Sequence, residues 1–99
     1  MDIDCEADLD ILAIKVMGWQ RRSASWRPHE IIAQAFEVAE RMREKGYLLR
    51  LAQTKIPDKP WIARFVPDDG TRCDWFADGS APAEAICLSA LKVLESHES

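Results

Sequence analysis

Three arginines, Arg21, Arg22 and Arg27, cluster in one short stretch together with Ser23, Ser25, Trp26 and His29. Guanidinium forks match the geometry of carboxylate and phosphate oxygens. A helix starting next to them would add free N–H groups and a positive end. The chemistry this set suggests is capture of a nucleotide-like anion or of an acidic protein surface. The candidate binding residues are Arg21, Arg22, Trp26, Arg27 and His29. The plainer reading is a solvated loop that Trp26 staples to the core.

A second set is spread over three short segments that alternate with period two. Arg50, Arg64, Arg72 and Asp74 share a side with Leu48, Ile62, Val66 and Phe76. A solvent face should carry less apolar surface, and a buried face should not carry three arginines. The mixture is that of an interface, with Arg50, Ile62, Arg64, Arg72 and Phe76 as its candidates. Arginine stems laid over apolar neighbours would give the same pattern. Such a face on a small domain calls for cover, and closed two-fold symmetry is the common way to supply it. A homo-oligomer, in the first place a dimer through this face, is therefore expected. A third charged set is acidic: Asp2, Glu6 and Asp10 are four apart and share a helical face, opposed to a basic partner or simply matched to the helix dipole.

Catalytic and metal chemistry find little support. There is no Gly-x-Ser-x-Gly, P-loop or dinucleotide fingerprint. Cys5, His29, Cys73, Cys87 and His97 lack ligand spacing. Cys73 and Cys87 fall on predicted core faces, where a thiol is inert. The expectation is no enzyme, no catalytic residue, no metal and no cofactor.

The elements that would position these residues follow from periodicity. Leu9, Leu12, Ala13 and Val16 keep helical spacing in a helix over 6–17, with Gly18 as its stop and Trp19 folding back onto Ile14. The organising stretch runs from Trp26 to Lys45, with Pro28 in the first turn and Gly46 past the end. Its apolar stripe holds Ile31, Ala35, Val38 and Met42, flanked by Ile32, Phe36 and Ala39. Strands are predicted over 47–53, 61–66 and 71–77, joined by Pro57-Asp58-Lys59-Pro60 and Asp68-Asp69-Gly70 as hairpins. Asp78-Gly79-Ser80 breaks the last strand. A third helix follows, with Ser80 as candidate N-cap, Pro82 in the first turn, and fraying from Glu95. The fold class is α+β, in the order α-α-β-β-β-α, a three-stranded antiparallel sheet packed with helices in a single domain spanning 1–99.

The 99 residues are 47% apolar and 30% charged, the balance of an ordinary globular domain. A net charge of −4 speaks against direct nucleic acid binding. The longest purely apolar run, Ile11 to Ile14, is far too short to span a membrane. Three scattered cysteines and an opening Met-Asp-Ile-Asp without signal-peptide regions lead to the expectation of a cytoplasmic protein.

Three pieces in this order resemble a known family. They are the segment ending Val16-Met17-Gly18-Trp19, the Trp26-x-Pro followed by an Ile-Ile-Ala-x-Ala-Phe-Glu-Val helix, and Ala81-Pro82-Ala83-Glu84-Ala85-Ile86-Cys87. Together they resemble the phage ABA sandwich domain family, small proteins of tailed phages and prophages. His29 stands where the family usually has Ser or Thr, and Ala83 is inserted in the last helix start. The resemblance implies an α/β sandwich of phage origin and no assigned catalytic residues. With the small size and the charged patches, it leads to an expected role. That role is a phage-encoded binding protein in the host bacterial cytoplasm that antagonises a defence system, masking a host defence protein or sequestering a nucleotide-like ligand. The alternatives are a structural or accessory phage oligomer and, further off, a small enzyme on an anionic substrate.

Overall fold

The computed structural model describes residues 6–20, 25–68 and 75–98. The element order is helix α1 (Glu6–Ile11) running into a π-helical turn (Leu12–Val16), helix α2 (Ile32–Glu44), strands β1 (Tyr47–Gln53), β2 (Trp61–Pro67) and β3 (Trp75–Gly79), and helix α3 (Pro82–Glu98). The strands form an antiparallel meander in the order β1-β2-β3. This is the predicted α+β architecture.

The first helix is not α-helical throughout. Its last turn widens, so that the Met17 N–H donates to the Leu12 carbonyl at 3.1 Å. Gly18 then adopts a φ of 78°, and the Trp19 N–H donates back to the Ala13 carbonyl at 3.0 Å. The spacing of Leu9, Leu12, Ala13 and Val16 fits both windings over a single turn, which is why periodicity did not separate them. Ile14 remains half exposed. Trp19 stacks edge-on against Trp26 instead, with ring centroids 4.9 Å apart.

Helix α2 begins four residues after Pro28, which therefore lies before its first turn and not in it. Arg27 to Glu30 make an isolated turn, in which the N–H groups of Glu30 and Ile31 both donate to the Arg27 carbonyl. Ile31 is extended (φ −107°, ψ 110°) and serves as the N-cap. The Gln34 side chain reaches back to accept from the Arg27 N–H. Pro28 is therefore a buried turn residue. At the far end Gly46 takes a φ of 96° and its carbonyl accepts from the Asp68 N–H at 2.8 Å.

The element around which the chain is organised is α3, not α2. Every residue from Ala85 to Leu91 is buried, as are Ala83 and Val93. A helix buried nearly all round needs neighbours on several sides, and α3 packs on the sheet, on α2 and on the π-helical turn. The sheet receives it on small residues: Ala63, Ala77 and Gly79 are buried there. A Cβ on Gly79 would lie 2.9 Å from the Ala85 nitrogen, so helix and strand backbones approach closely. The Ser89 hydroxyl donates to the Trp75 carbonyl at 2.7 Å and fixes the helix against β3.

Two predicted boundaries shift for related reasons. β3 continues to Gly79, because Asp78 pairs with Ile62 and Gly79 with Trp61. Its predicted beginning, 71–74, lies outside the described residues. At the α3 start Pro82 is the first helical residue, and Glu84 Oε1 accepts from the Ser80 N–H at 3.2 Å. The helix continues to Glu98 with no break at Glu95. Trp61 and Trp75 are only partly buried and pack at the edge of the core.

Strand alternation then decides what each side of the sheet does. Tyr47, Leu49, Leu51, Ala63, Phe65, Trp75 and Ala77 turn toward the helices, and Phe65 is fully buried. Leu48, Arg50, Ala52, Ile62, Arg64, Val66, Phe76 and Asp78 take the other side. Among the described residues no helix covers that side. Leu48 is 42% exposed and Phe76 50% exposed.

Candidate functional site

The outward side of the sheet brings together four of the five predicted interface residues. The register sets Arg50 directly opposite Arg64, with Phe76 next in the same row. Leu48 pairs with Val66 in the row above and Ala52 with Ile62 in the row below. Arg50, Ala52, Ile62 and Arg64 line a hollow of about 250 Å³. The Arg64 guanidinium lies 5.7 Å from the centre of the Phe76 ring, and the Lys92 ammonium reaches the same ring at 5.5 Å. Asp78 is the one acidic residue at an outward strand position among the described residues, and Lys59 stands 3.9 Å from it. Arg72 lies outside the described residues, as does Asp74.

Like charges directly opposite one another on a sheet repel. Facing one another across the strands, the Arg50 and Arg64 guanidiniums do not stabilise each other. Flanked by Leu48, Ile62 and Phe76, the pair forms an apolar surface with cationic donors, matched to a protein surface that carries carboxylates beside apolar groups.

The basic loop is built differently. Arg21 and Arg22 lie outside the described residues. Trp26 is 4% exposed and belongs to the core. Arg27 is engaged at home: its Nε and Nη2 donate to the two Glu30 carboxylate oxygens at 2.6 and 3.0 Å. That hydrogen-bonded guanidinium holds the Glu30 carboxyl below its ordinary pKa. His29, expected on an accessible rim, is 9% exposed. Its Nε2 is 3.7 Å from Glu30 Oε1, and its Nδ1 is buried with no hydrogen-bond partner among the described residues. The carboxylate of Glu30 thus takes the position that an incoming anion would contest. The tertiary structure buries Trp26 and His29, because the Arg27–Glu30 turn folds them inward, and leaves Arg27 exposed and paired with Glu30.

Cys87 is fully buried on α3, and burial pushes its thiol up to about 12, with the charge of Glu84 adding to the effect. It remains protonated at neutral pH and has no nucleophilic character there. Cys5 and Cys73 lie outside the described residues.

One surface escaped the sequence reading. Met17, Trp19, Ala33, Phe36, Glu37, Glu40 and Arg41 line a shallow groove of about 440 Å³ beside α2. Phe36 is 46% exposed and Ile32 is 40% exposed. Both were counted into the α2 core stripe, of which only Ala35, Val38, Ala39 and Met42 are buried. The signal was in the sequence. Phe36 lies about 100° round the helix from Ala35, and seven apolar positions make a stripe wider than one packing face uses.

The sequence from residue 10 to residue 91 matches the model of the phage ABA sandwich domain. The chain belongs to the phage ABA sandwich domain family. A phage protein from Bacillus cereus ATCC 14579, known from a 2.0 Å crystal structure, has the same fold: the two align over 91% of each chain with a TM-score of 0.69 and 15% identity. No curated protein matches the sequence. In this family member the helices lie on one side of the sheet, and the described residues leave the other side open. No helix among the described residues is long and apolar enough to cross a membrane.

Proposed function

We propose that this member of the phage ABA sandwich family is a non-enzymatic binding protein acting in the cytoplasm of a bacterial host, where it antagonises a defence system by masking a protein surface. The observation that carries this reading is the sheet face that no described helix covers, with its Arg50–Arg64 pair set among Leu48, Ile62 and Phe76. Its target is a host defence protein with carboxylates amid apolar residues. Masking is favoured over sequestering a nucleotide-like anion, because Arg27 is engaged by Glu30 and Trp26 is buried.

The test is phage plating on strains that each carry one defined defence system, with and without this protein. Wild type should restore plating on at least one strain. Arg50→Glu with Arg64→Glu should abolish that effect while leaving the fold intact. Binding to the purified defence component should weaken about 100-fold or more, the loss of two charge-assisted contacts of about 1.5–3 kcal/mol each. Restoration that survives the double substitution would move the site to the basic loop. No restoration on any strain would favour a structural or accessory phage protein.

A further inference from the structure

The groove beside α2 and the sheet face differ in what they fit. Along the exposed side of α2, Ala33, Phe36, Glu37, Glu40 and Arg41 recur at i, i+3, i+4, i+7 and i+8. That spacing places them on one exposed face of the helix. The groove floor is apolar, from Met17, Trp19 and Ala33, and Phe36 stands out beside it. Its rim carries both signs: Glu37, Glu40, which accepts from Arg43 at 3.1 Å, and Arg41, whose single exposed contact to Glu44 at 3.3 Å is weak enough to exchange for a partner carboxylate. An isologous contact must be complementary to itself, and this surface is: it bears an aromatic knob, an apolar hollow, an acid and a base. The sheet face is not, since a two-fold axis there would bring Arg50 and Arg64 of two copies together.

We propose that a second copy of this chain occupies the groove, with α2 packed antiparallel on α2 about a two-fold axis. Phe36 of each copy enters the hollow beside Met17 and Trp19 of the other, and Glu37 of each faces Arg41 of the other. The dimer expected from the sequence thereby moves from the sheet to the helix side. Both sheet faces remain free and point away from the contact, which makes the protein bivalent. A bivalent binder holds a repetitive or dimeric target more tightly than either face alone, with no added contact.

The experiment is light scattering on the full chain across about 1 to 200 µM, the range in which modest interfaces populate. Wild type should rise from monomer to dimer mass. Glu37→Arg alone and Arg41→Glu alone should each weaken the dimer at least tenfold, since each sets like charges against one another. An equimolar mixture of the two variants should restore it, because each then meets its opposite. Circular dichroism on both variants checks that these exposed substitutions leave the fold intact, and recovery in the mixture itself requires folded chains. Arg50→Glu with Arg64→Glu should dimerise like wild type, which separates this result from the fate of the sheet-face reading. A monomer at every concentration overturns the proposal. So does a dimer insensitive to both single variants, or one dissolved by the sheet-face substitutions.

Discussion

The two faces of the one sheet are made from the same strands and do opposite work. On the helix side Ala63, Phe65, Ala77 and Gly79 are buried beneath α3, with larger partly buried residues around them. On the other side, one residue along in each strand, stand Arg64, Phe76 and the half-exposed Ile62 and Val66. A one-residue step in a strand reverses the side chain, so aromatic residues with nearly equal apolar content reach different fates. Phe65 is a keystone and Phe76 is a surface group. The difference teaches that apolar content does not mark the core here. The position of α3 does.

That contrast yields expected outcomes of decreasing size. Phe65→Ala should cost about 3–5 kcal/mol by chemical denaturation, the range for an aromatic removed from a packed core. A loss no greater than that of Phe76→Ala would break the comparison outright. Gly79→Ala should cost about 1–3 kcal/mol, because the new methyl meets α3 backbone first, at the Ala85 nitrogen, which cannot swing aside as the Glu84 side chain can. Cys87→Ser should cost about 1–3 kcal/mol through a buried hydroxyl, and wild-type Cys87 should resist alkylation at neutral pH until the chain unfolds.

The same thiol gives the helix side a pH signature. Its folded pKa is raised to about 12, so the native state keeps a proton that the unfolded chain loses earlier. The contribution is complete below the unfolded thiol's value and declines as pH rises above it. Wild-type stability relative to Cys87→Ala should fall by up to about 1.4 kcal/mol per pH unit through that window. Equal pH profiles for the two proteins would show that the site is wetter than its burial.

On the outward side, Leu48→Ser and Phe76→Ser should each shift stability by no more than about 0.5 kcal/mol, measured by thermal melts, while solubility improves. A large loss from either would mean that the face is covered in the folded protein. The smallest effect belongs to the Arg27–Glu30 pair, away from both sheet faces and exposed. Glu30's lowered pKa places its contribution above the ordinary glutamate range, to be lost as pH falls through the folded value. Arg27→Ala should abolish that slight acid dependence and change little else.

Much of the fold was legible because its signals are local. Period two fixed β1 at Tyr47–Gln53 and the start of β2 at Trp61, and Gly18 and Gly46 end helical segments with positive φ as expected. The grouping of Arg50, Ile62, Arg64 and Phe76 on one side was legible for the same reason. The start of α2 was not. Pro28 suits either a first helical turn or a separate turn, and the Gln34 side chain returning to the Arg27 N–H favours the second. Nor was the inward turn of His29, because residue type and spacing do not state which side of the Arg27–Glu30 turn meets the core.

The sequence by itself determined the strands, their alternation, two helix stops and the family to which the chain belongs. Each depends on neighbours a few residues apart. Tertiary structure alone decided that α3 is central, that Phe36 and Ile32 face outward, and that no helix among the described residues covers one side of the sheet. The physical reason is shared. A helical stripe states which residues prefer burial, but the supply of partner surface states which of them obtain it, and α3 uses the sheet, α2 and the π-helical turn at once.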